Sequence, residues 1–134
     1  MKKIRFIINP KSGTANKQNF VNWIDSIIDK TIFESEIVFT KAPGHATELA
    51  REAATTGYEI VVSVGGDGSA NEVGKGLVGT KTALAIIPTG SGNGMARHMK
   101  IPVDFKKSVE LINTGRPELV DSLMINDRFC LGTF

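Results

Sequence analysis

The chain is poor in the features that mark several large protein classes. It has one cysteine, Cys130, in 134 residues. No internal disulfide can form, which excludes a disulfide-stapled scaffold. No apolar run approaches the ~18 residues that a membrane-spanning helix needs. The opening Met1-Lys2-Lys3-Ile4-Arg5-Phe6 leads into an apolar run stopped at Asn9-Pro10, too short for a signal peptide. Neither sign of charge dominates: 16 basic and 14 acidic residues are well mixed, for a net charge of +2. That balance calls for no nucleic-acid partner. Repeats, low-complexity tracts and internal linkers are also missing. What remains is one globular domain's worth of sequence, 41% hydrophobic. At this size folding buries roughly two-thirds of the chain's surface. The expectation is a cytoplasmic protein.

Strand and helix patterns alternate along the chain. Lys3–Ile8 is a short apolar run ended by the turn composition Asn9-Pro10-Lys11-Ser12-Gly13. Phe20, Trp23, Ile24, Ile27 and Ile28 recur at i, i+3, i+4, i+7 and i+8, one face of a helix with Trp23 in the core. Glu36–Thr40 reads as a second strand. His45–Thr56 carries Ala46, Leu49, Ala50, Ala53 and Ala54 on one helical side. Ile60–Val64 is an apolar run interrupted only by Ser63, as in a strand buried on both faces. A helix over Asn71–Val78, a buried strand over Thr82–Ile87 and a helix over Phe105–Asn113 follow. This alternation predicts an α/β fold, three layers α/β/α around a mostly parallel sheet with right-handed crossovers. From Val120 to Phe134 the pattern is strand-like, with Asn126-Asp127 as a hairpin turn. We read residues 1–119 as one domain and 120–134 as the first strands of a second, β-rich one, the chain being an N-terminal portion of a larger protein.

Ligands of parallel sheets sit beyond the carboxyl ends of the strands. Three connections there are glycine-rich: Asn9 to Gly13, Gly65 to Val73, and Pro88 to Arg97. Glycines let backbone N–H groups approach an anion, hydroxyls at Ser12, Ser69 and Ser91 add donors, and helix starts add dipole attraction for phosphate. A Walker loop is only nearly matched. Gly68 to Gly74-Lys75 has one intervening residue too many and falls where a helix should run. A dinucleotide fingerprint is excluded because the first strand ends in Asn-Pro. Asp67 lies between Gly66 and Gly68. Among phosphate-binding glycines a carboxylate would repel the nucleotide unless it holds Mg²⁺ or takes a proton. The alternative is a helix cap, a role that Ser69 or Asn71 could also fill. Glu72 is either an acid that orients a loop through backbone amides or a solvated first-turn residue.

Taken in order, Asn9-Pro10-x-Ser12-Gly13, Gly65-Gly66-Asp67-Gly68-Ser69-x-Asn71-Glu72-Val73 and Pro88-x-Gly90-Ser91-Gly92-Asn93 resemble the catalytic domain of diacylglycerol and sphingosine kinases. The resemblance spans nearly the whole chain. It implies the fold of NAD kinases and phosphofructokinases, as the N-terminal domain of a two-domain lipid kinase. It implies ATP contacts at Asn9, Pro10, Lys11, Ser12 and Gly13, at Thr40, at Gly66, Asp67, Gly68, Ser69, Ala70, Asn71 and Glu72, and at Ser91. It implies that Asp67 serves catalysis with Mg²⁺, and that the catalytic base comes from the second domain. The third loop departs from many diacylglycerol-type bacterial members: Gly94 stands where they have an aspartate, which is closer to the sphingosine and ceramide branch.

The activity implied is transfer of the γ-phosphate of ATP to the free hydroxyl of a long-chain lipid, of diacylglycerol or sphingoid type, with transient contact at a membrane surface. Arg97, His98 and Lys100 form a small basic cluster that suits a solvated helix end or acidic headgroups. The competing readings are an NAD kinase, which shares Gly-Gly-Asp-Gly, and a nucleotide-binding regulatory module without chemistry.

Overall fold

A computed structural model describes residues 2–10, 17–88, 103–113, 123–125 and 128–130. Within these, the side chains of residues 17, 67, 88, 103–105, 108, 111, 123–125 and 128–130 are outside the description. Loop residues Lys11, Ser12, Gly13 and Ser91, the cluster at 97–100, Gly94 and the turn at 126–127 lie outside the described residues.

Four strands form a parallel sheet: β1 (Lys2–Ile8), β2 (Phe33–Phe39), β3 (Ile60–Gly65) and β4 (Ala83–Pro88), in the order β2-β1-β3-β4. Every residue of β3 is buried, Ser63 included, as its largely apolar run predicts. The helices are α1 (Lys17–Ile27), α2 (His45–Thr55), α3 (Asp67–Leu77) and α4 (Val103–Asn113). Alternate residues of each strand feed two cores. Ile4, Phe6, Ile8, Val62 and Val64 pack with Phe20, Trp23 and Ile24 of α1 and with Val109 and Ile112 of α4. Ile7, Val61, Leu84 and Ile86 pack with Ala46, Ala50 and Ala53 of α2 and with Ala70, Val73 and Leu77 of α3. The result is the three-layer α/β/α arrangement, with α1 and α4 on one face and α2 and α3 on the other. Trp23 is core, edge-on to Phe20 at 5.6 Å between ring centroids. A two-stranded antiparallel sheet of β5 (Leu123–Ile125) and β6 (Arg128–Cys130) pairs Ile125 with Arg128.

Two elements begin earlier than their sequence patterns indicate. β2 starts at Phe33 rather than Glu36. Asp29 accepts the amide and hydroxyl of Thr31 and closes a turn, after which Phe33 enters the core with 1% exposure. The polar Glu34-Ser35-Glu36 stretch hides this start, because β2 is an edge strand and all three residues are exposed. Helix α3 starts at Asp67 rather than Asn71. Gly65 still pairs with Pro88 in the sheet, and Gly66 alone, extended at φ −94° and ψ −170°, is the N-cap. The N-cap is Gly66, which has no side chain, and Asp67, Ser69 and Asn71 lie inside the helix.

A charged side chain interrupts the second core. Arg5 of β1 is 6% exposed. Its Nε donates to Glu36 Oε1 at 2.6 Å, and its Nη1 donates to Glu52 Oε1 and to the Leu49 carbonyl, each at 2.9 Å. The Tyr58 ring lies 4.7 Å below the guanidinium, and the Tyr58 hydroxyl donates to Glu36 at 2.9 Å. Burial pushes the Glu36 carboxyl up, but the hydrogen bonds from Arg5 and Tyr58 outweigh it and hold the group below its ordinary value of 4.5. A carboxylate depressed by folding stabilises the folded state above its unfolded pKa, and that contribution is lost as pH falls through the lower folded value. Urea unfolding at a series of pH values should therefore show wild-type stability falling below pH 4.5 more steeply than that of Glu36→Gln. The difference should be modest, because the Glu36 side chain is 44% exposed and water screens the pair. Parallel pH curves would show that the pair adds nothing beyond packing.

Candidate nucleotide site

From β1 the chain moves to β2 on one side, then crosses back to β3 on the other. The order thus reverses between β1 and β3, the place where ligands of open α/β sheets bind. Asn9 leaves β1 at this point, and its amide donates to the Val64 carbonyl at 3.2 Å. Thr40 leaves β2 one strand away, its amide donating to the Ile8 carbonyl at 2.9 Å. These bonds extend the sheet by one residue and set both side chains at its carboxyl edge. Asn9 Nδ2 then reaches across to Ser69 Oγ of α3 at 3.2 Å.

A cleft of about 290 Å³ opens here, lined by Asn9, Pro10, Thr40, Lys41, Ala42, Pro43, Ala46, Gly68, Ser69 and Glu72. Its volume is at the lower end of the ~300–1,000 Å³ usual for ligand pockets, and fits part of a nucleotide better than the whole. Six residues singled out in the sequence come together in it: Asn9, Pro10, Thr40, Gly68, Ser69 and Glu72. Gly66 and Asp67 form the head of α3 beside them. Asn71 is exposed on the helix and does not line the cleft. Ala70 is fully buried in the second core, and its amide is bonded to the Gly66 carbonyl at 3.1 Å, so it offers a ligand nothing.

Sequence reasoning missed the wall formed by Lys41, Ala42, Pro43 and Ala46. By composition Pro43-Gly44 marks only a break between a strand and a helix. Gly44, at φ +86°, is the N-cap of α2, and its amide donates to Glu72 Oε1 at 3.0 Å. Glu72 is therefore a loop-orienting acid. His45 opens α2 and accepts the Lys41 amide on Nδ1 at 3.0 Å, a structural role.

Chemically, the two helix ends differ. A helix begins with amides that no preceding turn accepts. At α2 an acidic side chain already takes the cap amide. At α3 the cap is a glycine, which brings no side chain of its own to the first amides, and such a helix start suits an oxyanion such as phosphate. Gly66 has room for this role: a Cβ built there meets nothing within 4 Å.

The fold is an α/β domain with a cleft at the reversal of its strand order. The sequence matches the family described as "Diacylglycerol kinase catalytic domain" over residues 3–125, and the chain belongs to that family. It is similar to the diacylglycerol kinase of Bacillus subtilis, 30% identical over 132 residues, covering 96% of this chain and 44% of that protein. The diacylglycerol kinase of Staphylococcus carnosus is 32% identical over 133 residues, covering 96% of this chain and 42% of that one. Among solved structures it resembles a putative diacylglycerol kinase from Bacillus anthracis, with a TM-score of 0.63 and 29% identity over 85% of this chain and 42% of that one. The chain thus spans less than half the length of these relatives. No helix among the described residues is long and apolar enough to cross a membrane.

Proposed function

We propose that this chain is the nucleotide-binding part of an ATP-dependent lipid kinase that phosphorylates the free hydroxyl of a diacylglycerol-type lipid. The observation that carries the reading is the meeting of Asn9, Thr40 and the glycine-capped head of α3 at the strand-order reversal, in a chain of the diacylglycerol kinase catalytic domain family. Phosphate oxygens are assigned to the first amides of α3, with the Asn9–Ser69 pair fixing the edge of the cleft. The apolar wall of Ala42, Pro43 and Ala46 is assigned to an uncharged part of the nucleotide. Lys11, Ser12, Gly13 and Ser91 complete the nucleotide contacts in this proposal.

Asp67 is the residue we assign to Mg²⁺. A lone carboxylate fits this ion, which keeps several waters and binds through one or two carboxylates plus substrate phosphates. Among the described residues no cluster of three or more ligating side chains exists that would suggest an all-protein cage. When bound, Mg²⁺ neutralises charge between phosphate oxygens. Deprotonation of the acceptor hydroxyl is assigned to a carboxylate of the second domain, so residues 1–134 alone should bind ATP without transferring phosphate. The enzyme would work where its lipid is, by peripheral contact from the cytoplasm.

The test is a phosphorylation assay of the full-length protein with labelled ATP and three acceptors: diacylglycerol, a sphingoid base and NAD. Label in diacylglycerol is expected. Label in the sphingoid base would move the specificity to the other lipid class. Label in NAD alone would establish the NAD kinase reading, and nucleotide binding with no transfer the regulatory one.

Two glycines should separate binding from folding. Gly66 is extended and its Cβ position is open, so Gly66→Val strains no left-handed backbone; its side chain would instead obstruct the phosphates. Gly57 follows α2 at φ +90°, where the Tyr58 amide returns to the Ala53 carbonyl. Gly57→Ala should thus lower stability by roughly 1 kcal/mol. Calorimetric ATP titration and thermal unfolding should show weakened binding with Gly66→Val and a lowered Tm with Gly57→Ala. Equal binding losses at both positions would make the glycines generic turn formers.

A further inference from the structure

We propose that Glu72 is a positioning residue, which latches the Lys41–Gly44 turn to α3 and so fixes one wall of the nucleotide cleft. The inference rests on the nucleotide reading of that cleft. The turn is closed on itself, with the Lys41 amide on His45 Nδ1 and the His45 amide on the Ala42 carbonyl at 3.1 Å. Such a turn can tilt as a unit about its junction with β2. Its tie to α3 is the Gly44 amide on Glu72 Oε1 at 3.0 Å. One helical turn further into α2, the Thr47 hydroxyl donates to the Glu72 carbonyl at 2.7 Å. A single residue thus holds the start of α2 through its side chain and through its backbone.

The side-chain bond sits at the electropositive end of α2, where a carboxylate is favoured. Its occupation has a consequence for the ligand. Of the two helix heads at the cleft, the Glu72 carboxylate makes the α2 head unattractive to phosphate and leaves α3 as the anion-binding end. Lys41, Ala42 and Pro43 line the cleft on the latched turn. A loose turn would present them at varying distances, and misplacement by about 1 Å is enough to weaken a site severalfold or more.

The experiment uses the full-length protein with Glu72→Ala, Glu72→Met and Glu72→Gln. Ala removes the acceptor, Met keeps the stem without it, and Gln keeps an acceptor oxygen. Amide hydrogen exchange in the ligand-free protein should become at least ~10-fold faster over residues 41–46 in Ala and Met, and stay near wild type in Gln. The KM for ATP should rise about tenfold in Ala and Met, with a much smaller change in kcat, and less than about threefold in Gln. Unchanged exchange over 41–46 in Ala and Met would overturn the latch. So would a Gln variant as impaired as Ala, which would assign Glu72 a direct charge contact with the nucleotide. A wild-type protein that uses no ATP would defeat the nucleotide reading, while the exchange data would still decide the latch.

Discussion

In the full-length enzyme, Asp67→Ala should lower kcat by ~10²-fold or more, the usual loss when a preorganised charge-stabilising group is removed. The fold should survive. Asp67 is the first residue of α3, and the N-cap is its neighbour Gly66. What Asp67 gives the helix is the favourable placement of a negative charge at an N-terminus, worth about 0.3–1 kcal/mol. The same placement is costly for a phosphate site, because a carboxylate beside an incoming polyanion repels it. A metal ion between them turns the repulsion into attraction. Asp67→Asn separates these roles, since it keeps the shape and the hydrogen-bonding atoms but not the charge. If Asp67 holds Mg²⁺, Asn should be nearly as inactive as Ala and should raise the Mg²⁺ concentration needed for half-maximal rate. Turnover close to wild type, with a lowered Tm, would reduce Asp67 to a helix-start residue.

The parts of the fold most legible in the sequence are those where burial is one-sided or complete. Ile60 to Val64 reads as a buried strand because both its faces meet helices. Phe20, Trp23, Ile24 and Ile28 read as a helix because one face alone is buried. The cleft residues Asn9, Ser69 and Glu72 were legible for a different reason: each follows the carboxyl end of a strand or the glycines after one, where the sheet itself gathers them; Thr40, within the strand pattern Glu36–Thr40, was marked only by the family resemblance. The start of α3 was not legible. A run of Gly-Gly-Asp-Gly looks like a loop by composition, yet Ala70, Val73 and Leu77 are spaced to bury one helical side, and that packing draws the helix back to Asp67. Arg5 was not legible either. A charge inside a β1 core run reveals nothing of its partners Glu36 and Glu52, which come from 31 and 47 residues away.

The contact between α2 and α3 allows the second large effect to be foreseen at Gly76. A Cβ built there would lie 2.4 Å from the Thr47 carbonyl oxygen, 2.8 Å from Ala50 Cβ and 3.1 Å from the Arg51 amide nitrogen. Two of these three atoms are α2 backbone, so no side-chain rotation relieves the clash and the helix itself must shift. That shift would strain the Thr47–Glu72 bond and the Arg51 guanidinium on the Lys75 carbonyl at 3.3 Å, both of which cross the same interface. Overpacking of this kind costs typically 1–3 kcal/mol and occasionally more. Alanine's better helix propensity returns roughly 0.5–1 kcal/mol of it. Gly76→Ala should therefore destabilise the protein by about 1–2 kcal/mol net, and Gly76→Val by more. Gly68 provides the control in the same helix, because a Cβ there meets nothing within 4 Å. Gly68→Ala should raise stability by up to about 1 kcal/mol through propensity alone, although Gly68 lines the cleft and its replacement should weaken nucleotide binding. Urea unfolding of the two alanine variants should thus move in opposite directions. If both stabilise, α2 yields easily to a methyl group and the helices are less tightly seated than these distances require. If Gly76→Ala also raises the KM for ATP, the displaced α2 is carrying Ala46 and the Gly44 turn away from the cleft they line, and the packing of two small-residue helices is what sets the width of the site.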